Sequence, residues 1–270
     1  MDNIIKNSVI GYPLEHSFSS VLHAPIYSSL GIKADFIKDA DENITNLVDR
    51  IKNTPYELVC VTMPHKQSII NYLDEVDEVA KKIGAVNTVI NRNGKLIGYN
   101  TDVFGIEFAL RNVEINHKNV LIIGAGGVAR PVAYCISNNG GNIFYTNRTR
   151  DKVEVLKNDF GGKVMEMENL KSEEIDIIIN TTPIGMYPDD NMPIDKNFLL
   201  NKHVVFDVIY NPIKTKLLIE AEKCGAKIIS GLDMFIAQGI RQDELWLGRE
   251  IDVEKYISEL RELLINKINS

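Results

Sequence analysis

Short apolar runs closed off by Gly, Pro or Asn alternate along most of this 270-residue chain with amphipathic stretches. That alternation is the rhythm of strand, crossover helix and next strand, and it restricts the chain to an α/β architecture with largely parallel sheets. In the first half, strands are expected at Ile4–Ile10, Ala34–Lys38, Glu57–Val61, Val86–Asn91 and Lys95–Tyr99, with helices near Ser19–Leu30, Ile44–Lys52 and Glu75–Ile83. Asn93-Gly94 between the last two strands reads as a two-residue hairpin turn, so one antiparallel strand is expected in this sheet. A second series opens at Asn119, with strands expected at Val120–Ile123, Asn142–Thr146, Ile175–Asn180, Val204–Asp207 and Lys227–Ile229. Thr101–Arg111 is the linking helix, and Leu232–Leu247 and Val253–Ile268 show apolar residues at three- and four-residue spacing. The expectation is two α/β domains with a cleft between them. Residues 1–103, completed by helices 235–270, form one; residues 104–234 form the other. Ligands of open α/β sheets sit beyond the carboxyl ends of the strands, so residues just after strands carry the functional reading.

Composition narrows the classes. A formal net charge of −7 argues against a nucleic-acid or anionic-membrane partner, both of which need a basic face. Cys60, Cys135 and Cys224 are isolated, with no CxxC spacing, which points to reduced thiols and a cytoplasmic protein. His16, His23, His65, His117 and His203 show no ligand spacing, so no metal site is expected. The N-terminus does not read as a signal peptide, and no apolar run reaches the length of a membrane span.

After the run VLII comes GAGGVAR, Gly124 to Arg130, at the opening of a helical pattern. Gly124 permits a tight turn, Gly126 lets the backbone approach a pyrophosphate, and Ala129 allows close helix–strand packing. The helix N-terminus then offers free N–H groups to the anion. Readers of the non-phosphorylated dinucleotide usually end the next strand on Asp or Glu, which accepts from the ribose 2′-hydroxyl. Here that strand runs into Asn147, Arg148, Thr149 and, further on, Lys152. A guanidinium pairs with a 2′-phosphate where a carboxylate would repel it, so NADP is favoured over NAD; the alternative is a solvated basic turn.

Four clusters in the first half follow strands or open helices. Ser17 and Ser19 in GYPLEHSFS can cap the next helix or bind a carboxylate ligand. In VTMPHK, Thr62 ends a strand, Pro64 can open a helix, and Lys66 falls in its first turn. A cation there opposes the helix dipole, so Lys66 is either a functional residue or an ordinary surface lysine. GAVNT and GYNTD set Asn87 and Asp102 at turns, where Asp102 can equally be a first-turn helix carboxylate.

Taken together these motifs resemble the shikimate dehydrogenase family over the whole length. The family's GxPxxHSxSP appears as GYPLEHSFSS, NVTxPxK as CVTMPHK, and GAVNT and GxNTDxxG as GAVNT and GYNTDVFG. The glycine loop, the NRT at Asn147–Thr149, NTTPxGM at Asn180–Met186, DVIYNPxxTxLL at Asp207–Leu218 and GLxMxxxQ at Gly231–Gln238 follow in order. The resemblance implies a substrate domain and a Rossmann NADP-binding domain, and reversible NADPH-dependent reduction of 3-dehydroshikimate to shikimate in chorismate and aromatic amino acid biosynthesis. It implies a monomer or homodimer.

By the same resemblance, Ser17, Ser19, Thr62, Lys66, Asn87, Asp102, Tyr210 and Gln238 hold the substrate, with Lys66 and Asp102 carrying the proton chemistry. Gly124, Ala125, Gly126, Gly127, Val128, Ala129, Asn147, Arg148, Thr149, Lys152, Thr181, Val208 and Gly231 bind the cofactor. Three positions depart from the pattern. Ser20 replaces a usual Pro, Ala24 a usual Asn or Gln, and Cys60 the Asn before Val-Thr; the last two are expected to loosen supporting hydrogen bonds. The competing readings are a quinate/shikimate dehydrogenase with relaxed substrate or cofactor use, and a non-catalytic NADP-binding regulator.

Overall fold

The structure, a computed structural model, describes residues 4–269. The chain separates into two compact units. One comprises the residues up to Phe104 together with Ile236–Lys267, and the other is built on Gly105–Phe235.

The first unit contains β1 (Ile5–Gly11), α1 (Ser19–Ser29), β2 (Ala34–Ala40), α2 (Ile44–Asn53), β3 (Tyr56–Val61), β4 (Glu75–Val76), α3 (Glu78–Ile83), β5 (Thr88–Arg92) and β6 (Lys95–Tyr99). Its sheet has the order β2-β1-β3-β5-β6-β4, and β5 alone runs against its neighbours. The reversal is made where expected: Arg92 faces Lys95, and Asn93 (φ 55°) and Gly94 (φ 89°) take the left-handed conformations that a two-residue hairpin turn requires. Ile10, Val59, Val61 and Val89 from the strands and Leu47, Val48 and Ile51 from α2 form its core.

Two expectations fail here. Glu75 and Val76 form an edge strand beside β6, and helix α3 starts only at Glu78. Asp77 explains the break: its side chain caps the helix by accepting from Val79 and Ala80 N–H groups, while its own N–H is held by the Gly98 carbonyl. No α-helix follows Pro64. Residues 63–67 are a turn leading to a five-residue 3₁₀ helix, Ser68–Tyr72: the Lys66 carbonyl is taken by Val86 N–H, and Asp74 N–H by the Leu96 carbonyl of β6.

Helix α4 (Asp102–Leu110) follows β6. The second unit then contains β7 (Asn119–Ile123), α5 (Ala129–Asn138), β8 (Asn142–Thr146), α6 (Arg150–Phe160), β9 (Lys163–Val164), β10 (Ile177–Asn180), β11 (Val204–Asp207), α7 (Lys216–Lys223) and β12 (Lys227–Ile229). Every pairing in its sheet is parallel and the order is β12-β11-β10-β7-β8-β9. Numbered within the unit this is the doubly wound order 3-2-1-4-5-6, whose direction of winding reverses between β7 and β10. All four residues of β10 are buried, as in a parallel strand covered on both faces.

Helices α8 (Leu232–Leu247) and α9 (Val253–Ile268) end the chain. Within the first unit they fasten to earlier elements: Trp246 donates to Glu57 at 2.8 Å, Arg92 donates to the Trp246 carbonyl at 2.7 Å, and the Tyr256 and Ser29 hydroxyls lie 2.7 Å apart.

Gly98 in β6 is closely packed by side chains. A Cβ there would lie 2.4 Å from Leu73 Cδ1 and 2.9 Å from Val86 Cγ2. Gly98→Ala is expected to cost about 1–3 kcal/mol through forced repacking, seen as a lower urea midpoint with an unchanged m-value.

Candidate active site

Three chain reversals in the first unit bring polar side chains together. Lys66 lies in the turn after β3, where its carbonyl accepts from Val86 N–H at 2.7 Å. Asn87, just before β5, donates its N–H to Tyr99 and accepts from Val61 N–H at its carbonyl, so its backbone is pinned between β6 and β3. Asp102 opens α4 immediately after β6.

Lys66 Nζ lies 2.6 Å from Asp102 Oδ2, and both residues are buried. The other carboxylate oxygen, Oδ1, accepts from Asn87 Nδ2 at 2.9 Å. The orientation of the Asn87 amide is not in question, since its Oδ1 accepts from the Thr101 backbone N–H at 2.7 Å, a group that can only donate. Thr88 donates to that same oxygen at 2.8 Å, and Gln238 Oε1 lies 3.2 Å from Nδ2. Both carboxylate oxygens thus have a donor, which a carboxylate taken out of water requires, and removing one partner of a buried pair costs about 3–5 kcal/mol. The side chains stay 10% and 5% accessible, enough for a ligand to touch their edge.

Ser17 and Ser19 place their hydroxyls 3.2 Å from each other, and Thr62 is half-buried at the end of β3. Phe18 holds the N-cap position of α1, and Ser17 Oγ accepts from the Ser19 N–H of its first turn at 3.4 Å. Asp102 keeps both of its readings, being at once a first-turn carboxylate and the partner of Lys66.

In the second unit the glycine loop follows β7. Gly124 has φ 107°, and a Cβ there would strike Thr181 Oγ1 at 2.7 Å. A Cβ on Gly126 would meet nothing within 4 Å, so open space lies beside that stretch of backbone. Ala125, Gly127 and Val128 complete the loop, Ala129 is fully buried, and α5 begins without a side-chain cap. Backbone N–H groups at an uncapped helix start beside open space fit the pyrophosphate of a dinucleotide. After β8, Asn147 donates to the Thr149 carbonyl at 2.9 Å and leaves Arg148, Thr149 and Lys152 exposed. Among the described residues Arg148 and Lys152 make no ion pair, whereas the neighbouring Arg150 is held by Glu154 and Glu166. Two unengaged cations with no facing carboxylate fit a 2′-phosphate.

At the ends of β10 and β11, Thr181 donates to the Ile123 carbonyl at 2.8 Å and Val208 donates to the Asn180 carbonyl at 3.2 Å. Gly231 packs so closely that a Cβ would fall 2.1 Å from the Val208 oxygen, and Tyr210 stacks on Phe235 at 4.1 Å. Asp207, the last residue of β11, is fully buried, and burial pushes its carboxyl up to about 6. Among the described residues no group of three or more His, Cys, Asp or Glu is placed to hold a metal ion.

The family profile described as the shikimate dehydrogenase substrate binding domain matches residues 9–89, and the one described as shikimate / quinate 5-dehydrogenase matches residues 107–187. The shikimate dehydrogenase (NADP(+)) of Methanocaldococcus jannaschii is 41% identical over 275 residues, covering 96% of both chains. The chain belongs to the shikimate dehydrogenase family. A crystal structure of a shikimate dehydrogenase in complex with NADP+ superimposes with a TM-score of 0.90 at 38% identity, covering 100% of this chain and 98% of that one. The Thermus thermophilus shikimate 5-dehydrogenase in complex with NADP(H) and shikimate gives 0.88 at 30% identity, covering 96% and 100%.

Against the family's pattern, Cys60 does not leave a hydrogen bond unmade. Its thiol, pushed well up by burial, donates to Gln242 Oε1 at 3.1 Å, and Gln242 Nε2 donates to Thr88 Oγ1 at 3.1 Å. Ala24 lies on the exposed side of α1, and nothing in the structure explains Ser20. Thr88, Thr101 and Gln242 are the polar partners that reading the sequence passed over. The two threonines sat inside quoted motifs, and Gln242 stands four residues from Gln238, one helical turn away on the same face.

Asp207 generates a stability prediction. Its folded value of about 6 exceeds the ordinary 3.8, so its contribution to stability is full below about 3.8 and is lost as pH rises through about 6. Against Asp207→Asn, which cannot titrate, the wild-type chain is expected to lose about 2 kcal/mol of relative stability between pH 4 and pH 7. Urea unfolding at a series of pH values checks this; a pH-independent difference would contradict it.

Proposed function

We propose that this protein reduces 3-dehydroshikimate to shikimate reversibly with NADPH, in the biosynthesis of chorismate and the aromatic amino acids. The observation that carries the reading is the buried Lys66–Asp102 pair, held by Asn87 and edged by Gln238. Bound NADPH supplies the hydride, and chemistry of that kind needs a proton held at the substrate oxygen. Lys66 holds that proton, a service that contributes roughly 10²–10⁴-fold in rate. Asp102 fixes the ammonium and accepts from a substrate hydroxyl. Asn87, Gln238, Thr62 and Tyr210 orient the ring, and Ser17 and Ser19, with two hydroxyls side by side, bind its carboxylate. Arg148, Thr149 and Lys152 surround the 2′-phosphate, while Gly124–Ala129, Asn147, Thr181, Val208 and Gly231 line the rest of the dinucleotide site. Among the described residues no helix is long and apolar enough to cross a membrane. A net charge of −7 and three free thiols support a cytoplasmic enzyme without a nucleic-acid partner, acting as a monomer or homodimer.

The direct test is loss of NADPH absorbance with 3-dehydroshikimate, followed by NADH and by quinate as comparisons. Turnover with the first pair is expected; none with any pair would favour a non-catalytic NADP-binding regulator. Lys66→Ala is expected to lower kcat by about 10²–10⁴-fold while KM for 3-dehydroshikimate changes little. Near-normal turnover would remove Lys66 from the mechanism. Arg148→Ala is expected to weaken NADPH by roughly ten- to a hundredfold and NADH hardly at all, since only the former carries the 2′-phosphate; equal losses in titrations of the two would contradict that role.

A further inference from the structure

We propose that Asp207 is a positioning residue for the nicotinamide end of the dinucleotide site, holding the loops after β10 and β11 in one arrangement. This rests on the NADPH reading above. Asp207 Oδ1 accepts from the Ile209 backbone N–H and from Asn180 Nδ2, both at 3.1 Å, and Oδ2 accepts from the Thr215 hydroxyl at 2.7 Å. Asn180 passes the connection on. Its Oδ1 accepts from Thr182 N–H at 3.0 Å and from the Thr182 hydroxyl at 2.7 Å, and Nδ2 reaches the Ile184 carbonyl at 3.3 Å. Thr215 in turn caps α7, accepting from Leu218 N–H at 3.4 Å. One carboxylate therefore ties together the loop that begins at Thr181, the loop that carries Val208 and Tyr210, and the helix behind them.

The donor pattern fixes one oxygen of this side chain as an acceptor. The Ile209 N–H can only donate, and Asn180 Nδ2 is fixed as the donor end because the opposite oxygen takes the Thr182 N–H. Oδ1 must therefore accept from both, while Oδ2 meets the Thr215 hydroxyl, which donates to a carboxylate. Among the described residues no cation pairs with it: the groups that bond it are the Thr215 hydroxyl, the Ile209 N–H and the Asn180 amide. A buried carboxylate without a cation works against stability, so stability alone does not account for it. Arg148 and Lys152, after β8, lie on the other side of β7 in the sheet and share none of these bonds. Asp207 therefore acts on one end of the cofactor site only.

That asymmetry can be tested by titrating the full chain with NADPH and with adenosine 2′,5′-bisphosphate, which has the adenosine and 2′-phosphate but no nicotinamide. Asp207→Asn removes the charge from these hydrogen bonds and makes the Thr215 hydroxyl accept rather than donate, and it is expected to weaken NADPH about tenfold or more. Binding of the bisphosphate should stay within about twofold, because its contacts lie outside the network. Thr215→Val should shift NADPH in the same direction, and Thr215→Ser, which keeps the hydroxyl, should restore it. Wild-type NADPH affinity in Asp207→Asn, or parallel loss of both compounds in a variant that still unfolds cooperatively, would overturn the proposal. Should Asp207→Asn fail to fold, equal NADPH affinity in the valine and serine variants of Thr215 would overturn it instead. A wild-type protein that bound neither compound would defeat the NADPH reading itself, an outcome separate from any variant's behaviour.

Discussion

The first unit is organised around keeping one lysine and one aspartate charged while they are nearly out of water. Lys66 and Asp102 meet at 2.6 Å, and attraction alone does not offset the desolvation of two ions unless the remaining lone pairs find donors. Asn87 meets that requirement. It occupies the point where β3 and β6 both hold its backbone, and its amide is locked by Thr101 N–H, so one N–H is always aimed at Asp102. The antiparallel strand β5 starts next to it, so the hairpin at Asn93-Gly94 and the geometry of the site are parts of one arrangement.

Behind this group a second polar layer runs inward. Thr88, Gln242 and Cys60 follow one another by hydrogen bonds of 3.1 Å, and Cys60 Sγ then lies 3.7 Å from His23 Nε2. His23 Nδ1 meets Asp243 at 2.9 Å, and Asn7 donates to the Tyr27 hydroxyl at 2.9 Å nearby. Burial raises the Asp243 carboxyl and the Tyr27 hydroxyl as well as the Cys60 thiol. A protonated thiol is a donor, which is what the Gln242 oxygen needs once its nitrogen is committed to Thr88. A cysteine thus keeps a supporting contact at a position where the family pattern has Asn.

The second unit solves a different problem, the binding of phosphates by backbone. Its glycines differ in purpose. Gly124 is required by φ and by the nearness of Thr181, Gly231 by the Val208 oxygen, and Gly126 by nothing in the protein, which leaves room for a ligand. Around β10 and β11 side chains take over, with Asp207 and Asn180 supplying the fixed ends of loops that have little regular structure of their own.

Periodicity in the sequence determined the two α/β units, the hairpin, most strand positions and the glycine loop, because apolar alternation and turn chemistry are local properties of the chain. Lys66, Asn87, Asp102 and Gln238 were pointed to by the resemblance of their motifs to the family's, not by any feature of each residue alone. What the sequence could not supply is their convergence. Residues 66, 87, 102 and 238 meet only when four chain segments are folded together, and no spacing rule connects a turn after β3 to helix α8. The helix expected after Pro64 and the early start expected for α3 failed for the same reason: neighbouring strands claimed the backbone hydrogen bonds that local pattern had assigned to helix. The second polar layer and the Asp207 network were invisible to the sequence because they are made of ordinary residues. Only tertiary burial turns a cysteine, a glutamine and an aspartate into fixed donors and acceptors, since it removes the water that would otherwise satisfy them.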